Sequence, residues 1–183
     1  ASMLVPLKTL ESLVETRLTQ LGYEGGPLVC IRDLLMYAQV RGNSQGVSKL
    51  LNDSFRATKG TGQRVARETA ASLLIDAGRE PAPLVMQDLV DRLVEKATRH
   101  GVAVGGCFDT TLSSGAIGFW ARRAAEKGMV CLVMAGSPPS VAPHGATERV
   151  FGTNPLALGV PGAQSEPALV LDVATSAIAY FAL

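Results

Sequence analysis

The sequence predicts an α/β fold: a helical N-terminal cap followed by a layered αβα sheet domain. Three observations carry that expectation. Up to Phe55, apolar residues recur at helical spacing. From Ala71 onward, short apolar runs alternate with amphipathic stretches, the pattern of strands and helices packed in layers. Glycines punctuate the segment ends, where chain reversals need them.

Taken in order, Leu10, Leu13, Val14, Leu18 and Leu21 predict a helix over Leu7–Leu21, stopped by Gly22. Gly25-Gly26-Pro27 reads as a loop. A second amphipathic helix follows over Leu28–Val40, halted by Gly42, and a third, short one over Gln45–Phe55. Thr58–Thr61 is a turn. Ala71–Asp76 is a short strand, and Pro83 opens the helix Leu84–Arg99, capped by Gly101. Val102–Cys107 is a small-residue strand, Gly115–Lys127 a helix closed by Gly128. Met129–Met134 is an uninterrupted apolar strand, the kind buried on both faces. Leu156–Val160 and Leu169–Leu171 complete the strands.

Bulk properties exclude several function classes. The 183 residues are 47% hydrophobic and 18% charged, enough for a core of ordinary size. A net charge of +1, without a basic stripe, gives nucleic acid no footprint. No apolar run approaches the ~20 residues of a membrane span. The N-terminus lacks the basic-then-apolar pattern of a signal peptide, so a cytoplasmic protein is expected. Three cysteines, Cys30, Cys107 and Cys131, lie far apart without CxxC spacing, and two histidines, His100 and His144, lack ligand spacing. Neither a disulfide framework nor a metal site is expected, and the thiols read as buried and inert.

Two blocks near the C-terminus hold the strongest functional signal: Val150–Pro161, VFGTNPLALGVP, and Leu171–Ser176, LDVATS. Gly152-Thr153-Asn154-Pro155 is expected as a tight turn. The strand at Leu169–Leu171 delivers Asp172, Thr175 and Ser176 at its end, where α/β proteins place ligand-contacting groups. Spacing alone leaves open the plainer reading, two core strands with ordinary turns.

The wording of both blocks resembles the type-2 malate/L-lactate dehydrogenase family. Ser137–Gly145 (SPPSVAPHG), Gly115–Trp120 (GAIGFW) and Arg41–Val47 (RGNSQGV) are similar to further segments of that family, in the same order. The resemblance implies a non-Rossmann oxidoreductase that uses NAD or NADP on a small carboxylated substrate, either a cyclic imino acid or a 2-oxo/2-hydroxy acid. Family members run on for roughly the same length again. It therefore implies a helical region over 1–60 and, over 61–183, the first part of the cofactor-binding domain. The remainder would be missing from this chain or lie on a second chain that completes the fold, in a homo- or hetero-oligomer. The apolar end Tyr180–Leu183, inside an expected helix, points the same way.

The resemblance also assigns roles. The family's orienting serine matches Ser44, its proton-donating histidine is replaced by Gln45, and its carboxylate-clamping arginine by Lys49. A second family histidine is replaced by Ser113. Thr153 matches a substrate-contacting threonine. Ser113, Ser114, Gly115, Ala116 and Ile117 match a helix start whose backbone N–H groups attract phosphate. Asp172, Val173 and Ala174 match a cofactor-contacting segment. His144 stands at a family tryptophan position and is a candidate replacement acid. The residues themselves also admit other roles: a small-residue packing site at Ser113–Ile117, and an N-cap at Asp172.

These replacements bear on chemistry. Adding hydride to a ketone leaves an alkoxide that must be protonated, and a positioned acid contributes about 10²–10⁴-fold. A glutamine amide donates a hydrogen bond but no proton at neutral pH. Lys49 still pairs with a carboxylate, as a point charge and not a bidentate fork. A cyclic imine already protonated at nitrogen needs no acid in the hydride step, so a cyclic imino acid is the expected substrate. Two other classes stay open. One is a catalytically altered binding protein. The other is a processed hydrolase or acyl transferase whose nucleophile lies on a companion chain.

Overall fold

The computed structural model describes residues 4–51, 55–163 and 166–177. The chain divides into two compact units, Ala1–Leu89 with Val104–Gly115, and Val90–Ala103 with Ala116–Leu183. The segment Tyr180–Leu183, expected as an apolar helix end, lies outside the described residues.

The first unit opens with α1 (Leu7–Gln20) and α2 (Gly25–Gln39). α1 stops as its sequence requires. Gly22 takes φ +95°, and the N–H groups of Gly22 and Tyr23 return to the Thr19 and Leu18 carbonyls. α2 begins three residues before the expected position. Gly25-Gly26-Pro27 is its first turn and not a loop, because proline's missing N–H is lost there at no expense. The apolar stripes of both helices close over a core of Leu18, Leu21, Ile31, Leu35, Leu50 and Phe55. Of the third helix expected over Gln45–Phe55, residues 52–54 lie outside the described residues, and among the described ones Val47–Leu50 forms a 3-10 turn and not an α-helix. Asn43 Oδ1 takes the Gln45 N–H at 2.9 Å, an Asx turn that competes with α-helix formation.

The rest of this unit is a three-stranded sheet: β1 (Arg64–Glu68), β2 (Ser72–Asp76) and β3 (Val104–Phe108). β2 runs antiparallel to β1 and parallel to β3, and α3 (Ala82–His100) makes the crossover. β1 was not expected, because RVARE is exposed at every position and carries no apolar alternation. Asp76 is buried and anchors this sheet. Its carboxylate accepts the Gly78 N–H at 3.0 Å and the Arg64 guanidinium at 2.7 Å, which together hold its pKa below the ordinary range.

The second unit contains α4 (Gly118–Ala125) and an antiparallel sheet of β4 (Cys131–Met134), β5 (Leu156–Val160) and β6 (Leu169–Val173), in that spatial order. α4 lies close on one sheet face: a Cβ added at Gly159 would sit 2.3 Å from the Ala121 carbonyl oxygen. Trp120 is fully buried, with the Phe119 ring edge-on to it at 4.8 Å. Arg123 grips Asp91 through two bonds of 2.8 and 2.7 Å, joining α4 to the C-terminal part of α3.

The α/β class holds, with the strands divided between two small sheets. α4 starts at Gly118 and not at Gly115, because Gly115 takes φ +76° and cannot continue a helix. β6 runs on to Val173, so Asp172 lies within the strand and not beyond it. The apolar strand over Met129–Met134 is not buried on both faces, since Leu132 and Met134 are 57% and 71% exposed.

Candidate active site

The first unit brings together two positions that lie 68 residues apart. The Gly115 N–H donates to Ser113 Oγ at 3.1 Å, and the Ser113 hydroxyl donates to Gln45 Oε1 in a long hydrogen bond of 3.4 Å. Gln45 and Ser113 are the two residues at expected histidine positions. The turn that carries Gln45 is pinned to the end of α2. Gln39 Oε1 accepts the Val47 N–H at 3.1 Å, and a Cβ at Gly46 would approach that same oxygen to 2.5 Å. Ser44 is exposed in this turn.

The Ser113 segment is held as tightly. A Cβ at Gly115 would lie 2.6 Å from a Leu34 methyl on α2. Asp109 and Leu112 both adopt left-handed backbone, φ +54° and +62°. Arg79, φ +64°, donates its N–H to the Asp109 carbonyl at 2.8 Å, and Thr111 exchanges backbone bonds with Glu80 and Ala82. Left-handed backbone outside glycine persists only where surrounding structure fixes it, and it concentrates at functional sites. Sequence reading missed this clamp. Asp109 offered a faint signal, since aspartate tolerates this conformation, whereas Leu112 offered none.

Lys49 sits on the 3-10 turn beside this constellation in sequence. It is half-buried, with Nζ 5.9 Å from the Phe55 ring centroid. Burial pushes its pKa down to about 8.

In the second unit, Ala116 and Ile117 are buried. The first amide of α4, Gly118 N–H, donates to Asp172 Oδ2 at 2.8 Å. Asp172 thus caps the helix that precedes it in sequence, not one that follows. Partial burial of its carboxyl raises its pKa, and the Gly118 bond opposes that rise. A carboxylate here occupies the first amide of α4, one residue beyond the Ser113–Ile117 segment expected to attract phosphate. Val173 and Ala174 stand beside it at the end of β6. Ser114 is half-buried in the preceding loop.

Thr153 is buried in a hydroxyl cluster. Ser137 Oγ accepts the Thr153 N–H at 2.8 Å and lies 3.1 Å from Thr153 Oγ1. The Thr175 hydroxyl donates to the Thr153 and Asn154 carbonyls at 3.2 and 3.0 Å. A Cβ at Gly152 would meet the Ser137 carbonyl oxygen at 2.4 Å, so glycine is required there. Ser137 was visible in the sequence only as part of its proline-rich segment. His144 lies exposed in a separate turn of this unit.

Among the described residues, no group of three or more His, Cys, Asp or Glu is placed to hold a metal ion. Among the same residues, no helix is long and apolar enough to cross a membrane. Cys30 is buried and Cys107 and Cys131 are half-buried, and burial raises the pKa of the latter two thiols.

Comparison with known proteins adds an independent line. The family model for malate/L-lactate dehydrogenase matches residues 5–183. The chain is 30% identical over 184 residues to ureidoglycolate dehydrogenase (NAD(+)) of Escherichia coli, covering 97% of this chain and 52% of that protein. The structure of malate dehydrogenase from Pyrococcus horikoshii superposes with a TM-score of 0.89 at 30% identity, over 98% of this chain and 52% of that one. A shorter match reaches 55% identity over 56 residues, 31% of this chain and 16% of the other. That protein is the Delta(1)-pyrroline-2-carboxylate/Delta(1)-piperideine-2-carboxylate reductase of Pseudomonas syringae. The chain spans about half the length of the curated relatives that it matches along nearly its whole length.

Proposed function

Because this chain belongs to the malate/L-lactate dehydrogenase family, we propose that it supplies one half of an NAD(P)-dependent reductase of small carboxylated substrates. Within that class a cyclic imino acid fits better than a 2-oxo acid. The observation that carries the reading is the Ser113–Gln45 hydrogen bond. It links both positions where the resemblance implies histidine, and neither residue can give up a proton near neutral pH.

A bound nicotinamide cofactor supplies the hydride. The chain's own residues then have separate tasks. Lys49 pairs with the substrate carboxylate. Ser113 receives the Gly115 N–H, which turns its hydroxyl toward Gln45 and fixes the side-chain amide. Gln45 Oε1 keeps a second lone pair, which suits the N–H of a protonated imine. Hydride addition to the iminium carbon gives a neutral amine, so no general acid is needed at that step. A ketone would leave an alkoxide that neither Gln45 nor Ser113 can protonate.

For the cofactor, Ser113 to Ile117 and Asp172 to Ala174 are the residues proposed to hold it. The Asp172 carboxylate at the α4 N-terminus suits a ribose hydroxyl and disfavours a phosphate at that amide. His144, in its exposed turn, serves as a reserve acid only if the complete protein brings it to the substrate. The enzyme is proposed to work in the cytoplasm as an oligomer, with a second polypeptide segment completing it.

The deciding assay uses the complete protein with NADH and NADPH, on Δ1-piperideine-2-carboxylate and on pyruvate. Faster turnover of pyruvate overturns the imine reading. The loss of both histidines also favours a second reading, a binding protein without hydride chemistry. Tight NAD(P)H binding with no turnover of any oxo or imino acid would select it.

A further inference from the structure

We infer that Gln39 is a positioning residue: its side-chain oxygen sets the separation of Gln45 and Lys49, so that one cyclic imino acid meets both. The inference rests on the proposed reading of Gln45 and Lys49 and adds a residue that acts through them.

The imine nitrogen and the carboxylate of such a substrate sit on the same carbon. Their two partners must therefore be held at a fixed spacing, because small misplacements are costly in a binding site. Gln45 and Lys49 lie four residues apart, with Val47 midway. The segment between them has little rigidity of its own. The 3-10 turn Val47–Leu50 is four residues long, and so short a helix depends on outside contacts.

Those contacts hold the turn at both ends. At its start, Gln39 Oε1 accepts the Val47 N–H at 3.1 Å. At its end, the Arg17 side chain donates Nε–H to the Leu50 carbonyl at 3.1 Å, and Leu50 is buried in the core of α1 and α2. The Gly46 carbonyl accepts the Lys49 N–H at 3.2 Å, so a hold on Gly46 and Val47 reaches Lys49 directly.

Gln39 is the last residue of α2, and its bond to Val47 spans eight residues, closing the whole loop that carries Gln45. The fit is close. A Cβ at Gly46 would lie 2.5 Å from Gln39 Oε1 and 3.0 Å from Gln39 Cα, so glycine lets the turn settle on the helix end. The Asn43 N–H donates to the Ala38 carbonyl at 3.0 Å, and Asn43 Oδ1 takes the Gln45 N–H. These two bonds tie the Gln45 side of the loop to α2, and Gln39 ties the Lys49 side to the same helix end. The Ser113 loop rests on α2 as well, where Leu34 fills the space beside Gly115.

The kinetic signature follows from when the contacts form. A cationic imine and its carboxylate meet Gln45 and Lys49 before hydride arrives. Loosening those contacts therefore raises KM and leaves kcat nearly unchanged.

The test uses the complete protein with NADPH and Δ1-piperideine-2-carboxylate, and reads hydrogen exchange at the Val47 amide beside the kinetics. Gln39→Met keeps the length of the side chain and loses its oxygen. Loss of that one hydrogen bond should speed Val47 exchange and raise KM, each by about five- to tenfold, with kcat changed less than about twofold. Gln39→Glu keeps an acceptor oxygen and should return both quantities toward the parent. In a Lys49→Met background, Gln39→Met should raise KM by less than about twofold further, because the group it positions is gone. Should Gln39→Met fail to fold, Gly46→Ala pushes the Gln39 side chain aside and is expected to raise KM likewise. Unchanged Val47 exchange overturns the inference. So does faster exchange with an unchanged KM, or a KM rise that adds in full to that of Lys49→Met. Each of these comes from a parent that turns over the imine, and sinks the role of Gln39 alone. A parent that turns over no imine refutes the reading of the site, and the inference with it.

Discussion

Replacing Lys49 by methionine should stabilise the protein at neutral pH and remove a pH dependence. Burial lowers the Lys49 pKa from 10.5 to about 8, so the fold disfavours its charge. Read at about 1.4 kcal/mol per pH unit, that displacement corresponds to roughly 3 kcal/mol. The side chain keeps part of its hydration, which reduces the expected effect to about 1–2 kcal/mol. The sign follows from proton binding. Below pH 8 the folded and unfolded chains both carry the charge, and the full destabilisation is present. Between pH 8 and 10.5 the folded chain has released the proton and the unfolded chain still holds it, so stability rises with pH. Lys49→Met lacks that rise. It should melt about 3–6 °C above the parent at pH 7, with the gap closing toward pH 10.5. Methionine also suits the neighbouring Phe55 ring. Thermal denaturation of both proteins from pH 7 to pH 10 is the assay. A constant gap across that range, or a less stable variant at pH 7, refutes the reasoning. With Lys49 pairing with the substrate carboxylate as proposed, KM for an anionic substrate should climb above pH 8.

Gln45→His should introduce the missing acid and raise kcat on pyruvate relative to the cyclic imine by at least about tenfold. A pH–rate profile with a new limb near pH 6–7 is the confirming readout, and an unchanged substrate ratio counts against the assignment of Gln45. Gly159→Ala forces a Cβ to within 2.3 Å of the Ala121 carbonyl oxygen. It should destabilise the second unit by at least about 2 kcal/mol, measured by denaturant unfolding. Asp172→Asn keeps an acceptor for the Gly118 N–H but removes the charge. Fluorescence titration should show NADPH binding strengthened relative to NADH, and an unmoved ratio would place Asp172 away from the cofactor.

Local signals carried the elements whose ends are set locally. The Gly22 stop of α1, Pro83 in the first turn of α3 and the full extent of β5 were all legible because neighbouring residues decide them. β1 was hidden, since RVARE is wholly exposed and only pairing with β2 makes it a strand. The start of α4 was misplaced for a related reason. Gly115 is glycine because Leu34 of α2 crowds the space where a side chain would go, and no local pattern announces that contact. The candidate residues were individually visible through the wording of their motifs. Their grouping was not, and neither was the left-handed Leu112.

The Gln45–Ser113 contact changes what two altered positions mean. In the sequence they are separate departures from a family pattern, 68 residues apart, and each alone could be incidental. In the fold they are hydrogen-bonded neighbours. Ser113 already accepts the Gly115 N–H, which turns its own hydroxyl outward as a donor. A glutamine oxygen receives that donor and presents a further lone pair, whereas an imidazole that accepts it on one nitrogen has only an N–H left to present. The two replacements therefore fit each other in polarity. What they build together is a neutral acceptor held by a rigid loop, a better match for a cationic imine than for an oxyanion.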